Sequence, residues 1–136
     1  MVGILIATHA SLGKELINAS DLVFGGQKQI DSVGLYHGDN IEDLEGKIED
    51  AVRRLDTGDG VLVFVDLMGG SPSNMTARAI YNMREDVKIE CIAGVNLPLL
   101  IEALVARSSM SLEDLKQQIL GASKESIVDL RETLGL

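Results

Sequence analysis

Short apolar segments alternate along the chain with segments whose apolar residues recur at helical spacing. The segment 41–55 places its apolar side chains three or four positions apart and most of its charged side chains on the other side, which predicts an amphipathic helix. Four apolar segments are predicted to be strands: Val2 to Ala7, Ser32 to Tyr36, Val61 to Val65, and Val87 to Ala93. The elements therefore alternate as βαβαβαβα.

The predicted strands have the composition of strands that are covered on both faces. The third one, Val61-Leu62-Val63-Phe64-Val65, is apolar throughout, which is typical of a parallel strand between two layers of helices. We therefore predict a doubly wound α/β fold with three α/β/α layers and a mainly parallel sheet, formed by residues 1–136 as one domain. In the strand order 2-1-3-4, which is usual for this class, the first and third strands are neighbours.

The chain after the fourth predicted strand contains two more predicted helices and an ambiguous end. The helices run from about Leu97 to Ala106 and from about Leu112 to Leu120, the second with Ser111 as its cap. Around Ser126 to Leu130 the apolar spacing fits a helix about as well as a short strand, and periodicity does not separate the two in so short a segment.

Charge and composition narrow the possible partners. The formal net charge of −9 over 136 residues gives a surface that repels nucleic-acid phosphates and anionic lipid. No apolar segment approaches the ~20 residues of a membrane helix, and the first residues lack the basic part of a signal peptide. The single cysteine, Cys91, has no disulfide partner and is expected to pack as a small hydrophobic residue. We expect a cytoplasmic protein that neither binds nucleic acid nor inserts into a membrane.

Two residues with complementary chemistry follow the first and third predicted strands. His9 comes just after the first and Asp66 directly after the third. In open α/β sheets, ligands bind beyond the carboxyl ends of the strands, where the connections diverge to opposite faces. A carboxylate that accepts a hydrogen bond from one imidazole nitrogen fixes the tautomer and leaves the other nitrogen free as a nucleophile. The sequence therefore predicts His9 as a nucleophile and Asp66 as the residue that orients it.

The segment after Asp66 predicts an anion site at the same edge of the sheet. In Gly69-Gly70-Ser71-Pro72 the glycines allow close approach of the backbone, Ser71 suits an N-cap, and Pro72 suits the first position of a helix. The free N–H groups at such a helix start favour an anion. Gly70, Ser71 and Thr8 are therefore candidate supporting contacts for a phosphoryl group, although capping alone also explains Ser71.

Three stretches of the chain together resemble the IIA component of the mannose family of bacterial sugar phosphotransferase systems. They are residues 3–9 (GILIATH), 65–74 (VDLMGGSPSN) and 93–98 (AGVNLP). This resemblance implies a cytoplasmic homodimer that accepts a phosphoryl group from the phosphocarrier HPr on His9 and passes it to a IIB component during sugar uptake. It implies a phosphohistidine intermediate with no cofactor.

The same resemblance extends to individual positions. Asp66 matches the aspartate beside the active histidine, and Ser71 lies in the matching glycine-serine turn. Members of the family exchange a C-terminal strand between subunits, which favours the strand interpretation around Ser126 to Leu130. Members often carry an aromatic residue at the positions of Met68 and Ser73, so the rim of this site is expected to differ in shape and hydrophobicity. The chain ends without a IIB domain, so IIB is expected to be a separate polypeptide.

Other functions stay open at this point. A regulatory module of the same fold, whose phosphorylation reports sugar supply, is compatible with the same residues, and a non-enzymatic binding module is a further alternative. A hydrolase is disfavoured because residues 69–73 do not fit Gly-x-Ser-x-Gly. A phospho-aspartate receiver needs acidic residues where the chain has Thr8-His9-Ala10.

The second histidine has a simpler interpretation. His37 precedes Gly38-Asp39-Asn40, which is ordinary turn chemistry, so we expect a surface loop residue. A metal site built from His9, His37, Asp66 and Cys91 is not expected, because these residues lack the close spacing of zinc ligands.

Overall fold

The computed structural model describes residues 1–136 and contains four strands and six α-helices. A single 3-10 turn at Ser123–Glu125 separates the last two helices. The elements in chain order are β1 Gly3–His9, α1 Leu12–Phe24, β2 Ile30–Leu35, α2 Ile41–Leu55, β3 Val61–Val65, α3 Ser71–Asn82, β4 Ile89–Ala93, α4 Leu97–Ala106, α5 Leu112–Ala122 and α6 Leu130–Leu134.

The four strands form one parallel sheet in the order β2-β1-β3-β4, which confirms the predicted topology. Some strand limits differ from the prediction. β2 begins two residues early because Ile30 pairs with Ile4, and β1 continues as far as His9, which pairs with Leu35. None of the six helices combines the length and the hydropathy that a membrane-spanning helix needs.

Helices cover both faces of the sheet, and each layer has its own apolar core. Side chains of α4 and α5 pack on one face with β1 residues such as Ile4 and Ile6, and α1 contributes Leu16 and Ile17 there. Side chains of α2 and α3 pack on the other face with Leu5. Because β1 leads into α1 on one face and β3 leads into α3 on the other, the carboxyl ends of β1 and β3 flank the point where the connections diverge.

The C-terminal segment differs from the strand interpretation. In the single chain no fifth strand forms around Ser126 to Leu130; instead α6 begins at Leu130. The carboxylate of Asp129 accepts a hydrogen bond from the backbone N–H of Glu132 at 3.2 Å, a local cap that favours a helix start. α6 has no buried residue. Exchange of this segment between subunits remains a prediction.

Two buried groups contribute to the fold away from the strand ends. Burial, with a smaller contribution from Glu90, raises the pKa of the Cys91 thiol to about 12, so the thiol is neutral and packs against the α2–α3 side of the core as expected. Arg107 directly follows α4 and is almost fully buried at the amino ends of β1 and β2. Its guanidinium donates hydrogen bonds to the carbonyl oxygens of Val2, Lys28 and Gln29.

Candidate functional site

His9 and Asp66 are in direct contact at the carboxyl ends of β1 and β3. The His9 Nδ1 atom lies 2.9 Å from Asp66 Oδ2. A carboxylate oxygen accepts the hydrogen bond in such a contact, so Nδ1 is the donor, and in a neutral ring with this tautomer Nε2 keeps its lone pair. The His9 side chain is 45% exposed and that of Asp66 12% exposed. The imidazole side chain is therefore accessible from solvent, while the carboxylate that contacts it is shielded.

The carboxylate of Asp66 also binds the main chain at the same residue. Its Oδ2 atom accepts a second hydrogen bond from the backbone N–H of His9 at 2.9 Å. One oxygen therefore fixes both the end of β1 and the imidazole ring, which limits movement of the ring relative to the sheet. The other oxygen, Oδ1, is buried and has no hydrogen-bond partner.

The start of α3 lies against the imidazole ring. Gly70 is the N-cap of α3, and a Cβ atom at this position would lie 2.8 Å from His9 Cε1 and 3.4 Å from Nε2. The first hydrogen bond of the helix runs from the Asn74 N–H to the Gly70 carbonyl. The backbone N–H groups of Ser71 and Ser73 precede it and therefore have no acceptor within the helix. A helix start with free donors beside Nε2 favours an anion bound to that nitrogen.

Ser71 and Thr8 occupy other positions than the sequence indicated. The prediction that Ser71 is the N-cap is wrong: Gly70 takes that position in an extended conformation, and Ser71 is the first helical residue. The Ser71 hydroxyl makes no hydrogen bond and is half-buried beside the cap. Thr8 is fully buried, and its Oγ1 accepts a hydrogen bond from the backbone N–H of Gly13 at 2.9 Å. Thr8 therefore anchors the first turn of α1 beneath His9.

Two further residues shape the site, and sequence reasoning missed both. Ala10 has a φ of 49°, a left-handed conformation that is uncommon for alanine, and its N–H donates to the Leu35 carbonyl at 2.7 Å. A Cβ atom at Gly34 would lie 2.3 Å from the Ala10 carbonyl oxygen. The turn that ends β1 at His9 therefore requires glycine on the neighbouring strand. A glycine inside a predicted strand is the one signal that pointed to such a close approach.

The rim of the site is apolar and exposed. Leu67 and Met68 follow Asp66, and Met68 is 80% exposed. Leu12 at the start of α1 is also exposed. Exposed apolar side chains beside an accessible polar side chain are typical of a surface that contacts another protein.

His37 lies in the turn after β2, and the family-like segment 93–98 spans the turn after β4. His37 is exposed in the turn after β2 and forms no hydrogen bond or ion pair, which confirms the surface interpretation. In this turn the Tyr36 N–H donates to the Asp39 carboxylate at 2.8 Å. Asn96 caps α4 by accepting from the Leu99 N–H at 3.0 Å, and its side-chain amide donates to Ser126 Oγ at 3.1 Å.

Comparisons with known proteins give a consistent result. Residues 3–120 match the family described as PTS system fructose IIA component. The chain is 32% identical to the PTS system fructose-specific EIIA component of Bacillus subtilis, over 93% of this chain and 84% of that protein. It is also 32% identical to the PTS system mannose-specific EIIAB component of Escherichia coli, over 96% of this chain but only 40% of that longer protein. A crystal structure of the phosphotransferase system component EIIA from Streptococcus agalactiae superposes with a TM-score of 0.89 at 26% identity, covering 97% of this chain and 99% of that one.

Proposed function

The chain belongs to the fructose/mannose family of PTS IIA components. We propose that it accepts a phosphoryl group from phospho-HPr on Nε2 of His9 and passes this group to a IIB component in the cytoplasm. Membership in this family gives the chain a role in sugar phosphotransfer. The observation that carries the proposal is the arrangement of the ring: Asp66 holds Nδ1, and Nε2 faces the start of α3.

The chemistry is a displacement at phosphorus. The lone pair of His9 Nε2 forms a bond to the phosphorus atom, while the bond from phosphorus to the donor atom of HPr breaks and its electron pair stays with HPr. The proton on Nδ1 remains in place, so the phosphorylated ring is positively charged, and the adjacent Asp66 carboxylate stabilises that charge. Attack by a nucleophile of IIB reverses these changes and returns His9 to its neutral form.

The start of α3 supplies stabilisation for the transferred group. The free N–H groups of Ser71 and Ser73 and the unbonded Ser71 hydroxyl are the candidate donors to phosphoryl oxygens. Each charge-assisted hydrogen bond contributes about 1.5–3 kcal/mol, and a helix N-terminus typically ~0.3–1 kcal/mol. Since the protein's own groups stabilise the phosphoryl group, the proposed transfer needs no cofactor and proceeds through a phosphohistidine intermediate.

The proposal is tested by reconstituting the transfer. The protein is mixed with phosphoenolpyruvate, enzyme I and HPr, and phosphorylation is followed by intact mass and by the acid lability expected of phosphohistidine. Label that moves on to added IIB supports the carrier function. Stable label that IIB does not remove would instead favour the regulatory module, and a protein that binds HPr but never takes up label would be a binding module.

Gly70→Ala is expected to slow phosphorylation of His9 with little effect on folding. The new Cβ displaces the imidazole ring, because it would approach Cε1 to 2.8 Å. The backbone of Gly70, at φ −75° and ψ 170°, is equally accessible to alanine, so no backbone strain is introduced. A misplaced reacting atom of this kind lowers the rate on the order of 10²-fold. Single-turnover labelling by phospho-HPr measures this rate.

Gly46→Ala is the matched control for this variant. Gly46 lies within α2, and a Cβ there meets nothing within 4 Å. Its labelling rate should equal that of the wild type. A Gly70→Ala protein that is labelled as fast as the control would show that α3 does not approach the reacting nitrogen during transfer.

We also propose that the chain forms a homodimer through its C-terminal segment. Several apolar side chains there are exposed in the single chain, with Ile127 81% exposed and Val128 61% exposed. The outer edge of β4 is likewise unpaired. Contact with a second copy would bury these apolar side chains. A C-terminal strand exchanged between subunits would also pair with the free edge of β4.

Deleting residues 126–136 is expected to convert the dimer into a folded monomer. The deleted residues contribute nothing to either apolar core, so the remaining chain should still fold, although it loses the stabilisation that association supplies. Light scattering coupled to gel filtration measures the mass. The control replaces Leu22 and Val23, an exposed apolar pair on α1, with aspartate and should leave the dimer intact. A dimer that survives the deletion would place the interface elsewhere.

A further inference from the structure

A cavity separate from the His9 ring opens on the outer side of β2. Its volume is about 400 Å³, within the range of small-molecule sites. Side chains from α1, from the β2 region and from α2 line it: Lys14, Ser32, Tyr36, Lys47, Asp50 and Arg54. Neither His9, Asp66 nor any residue of α3 lines this cavity. It is therefore not part of the proposed phosphoryl site.

The cavity is positively charged in a strongly acidic protein. Three of its lining side chains are cationic and one is acidic, whereas the whole chain has a formal charge of −9. Lys14 and Lys47 form no ion pair, while Arg54 lies 3.0 Å from the Asp31 carboxylate. Two free ammonium groups, with a guanidinium that also bonds to Asp31, outweigh the single carboxylate of Asp50 in the lining and attract a compact group with more than one negative charge.

The exposed edge of β2 could in principle accept an extended peptide instead of a small molecule, but the strand is protected against this. The backbone N–H of Ser32 donates to Asp31 Oδ1 at 2.8 Å, and Asp31 Oδ2 accepts from Arg54. The Asp31 carboxylate therefore accepts the hydrogen bond of the Ser32 N–H, which an added strand would need as a donor. Capping of this kind disfavours strand addition at a sheet edge.

We propose that this cavity binds a small phosphate ester that also carries hydroxyl groups. Lys14, Lys47 and Arg54 would hold the phosphate group. The hydroxyls of Ser32 and Tyr36 provide further hydrogen-bonding groups for the rest of the ligand. Inorganic phosphate would leave most of a cavity of this volume unfilled. The proposal does not depend on phosphorylation of His9.

The cavity nevertheless borders the turn that holds His9. Ala10, which directly follows His9, is among the lining residues, and so is Gly34, whose lack of a side chain accommodates the Ala10 carbonyl. The amide signals of Ala10 and Gly34 therefore provide local probes of binding in addition to an affinity measurement.

Titration with glucose 6-phosphate tests this proposal, followed by calorimetry and by amide shifts in NMR spectra. We expect saturable binding that shifts the amides of Ala10 and Gly34. The double variant Lys14→Gln, Lys47→Gln should bind the ester at least about tenfold more weakly than the wild type does, because it loses two charged donors. Neither lysine has an acidic partner, so the variant leaves no carboxylate unpaired. Glucose alone should not bind, and inorganic phosphate should bind about tenfold more weakly than the ester.

The control variant is Lys28→Gln, Lys124→Gln, which removes two exposed lysines outside the cavity and should bind as the wild type does. The proposal is overturned by an absence of saturable binding, or by equal affinity in the Lys14, Lys47 variant and its control. Equal affinity for inorganic phosphate and the ester would also overturn it, because the site would then recognise only the anion.

Discussion

The His9→Ala variant is expected to take up no phosphoryl group from phospho-HPr while folding as the wild type does. Removal of the imidazole removes the reacting Nε2 atom. The side chain is 45% exposed and belongs to neither apolar core, so little buried surface is lost. Asp66 is not left unpaired, because its Oδ2 still accepts the backbone N–H of residue 9. The change in unfolding free energy should stay within about 1 kcal/mol. Phosphohistidine detection and thermal unfolding measure the two effects.

Asp66→Asn provides the graded comparison for this variant. An amide oxygen in the place of Oδ2 can accept both hydrogen bonds from His9, so the tautomer and the ring position are retained. The negative charge that stabilises the phosphorylated ring is lost, and we expect transfer to slow by about 10–100-fold without being abolished. Label on His9→Ala, or a normal rate in Asp66→Asn, would contradict the assignment of these two residues.

The arrangement of the strand ends could be predicted from the sequence because it depends on patterns that span whole elements. Apolar segments such as Val61–Val65 identify buried parallel strands, and a doubly wound topology then places the carboxyl ends of β1 and β3 side by side. His9 and Asp66 stand at those ends, so their contact follows from the topology without any knowledge of side-chain geometry.

Details that depend on individual backbone angles could not be predicted in this way. The cap of α3 lies at Gly70 and not at Ser71, because the turn through Gly69, with a φ of 82°, brings the chain to its helical conformation one residue early. Ala10 adopts a left-handed conformation that its residue type does not indicate. Around Ser126 to Leu130 the apolar pattern fits two structures, and in the single chain the local Asp129 cap accompanies the helix.

Arg107 shows the same limit for a buried charge. It follows α4 and precedes two serines, a sequence typical of an exposed helix end. Only the tertiary structure brings its guanidinium to the carbonyl oxygens just before β1 and just before β2, which lie 78 to 105 positions away in the chain. No carboxylate forms an ion pair with it, and burial lowers the pKa of the guanidinium. Its Nε atom has no partner.

Replacement of Arg107 by methionine is expected to cause the largest loss of stability among the changes considered. The carbonyl oxygens of Val2, Lys28 and Gln29 would each lose a charged donor, the first in a buried and the other two in a partly buried environment. Hydrogen bonds to charged groups contribute about 1.5–3 kcal/mol each and are not additive, so we expect a loss of about 3 kcal/mol or more in the free energy of unfolding. Urea unfolding, followed by circular dichroism, measures this quantity.

Two comparisons separate the buried hydrogen bonds from the charge itself. Arg107→Lys keeps the charge but has a single nitrogen to reach the three carbonyls, so its stability should lie between those of the wild type and Arg107→Met. Arg53→Met removes an exposed arginine of α2. The ion pairs of Arg53 with Glu49 and Asp50 are long, so this variant should change stability by less than about 1 kcal/mol.

Because Arg107 lies at the amino ends of the strands, folded Arg107→Met should still be labelled by phospho-HPr. If its stability equalled that of Arg53→Met, water would be an adequate substitute for the guanidinium at these carbonyls, and the buried arginine would not stabilise the fold.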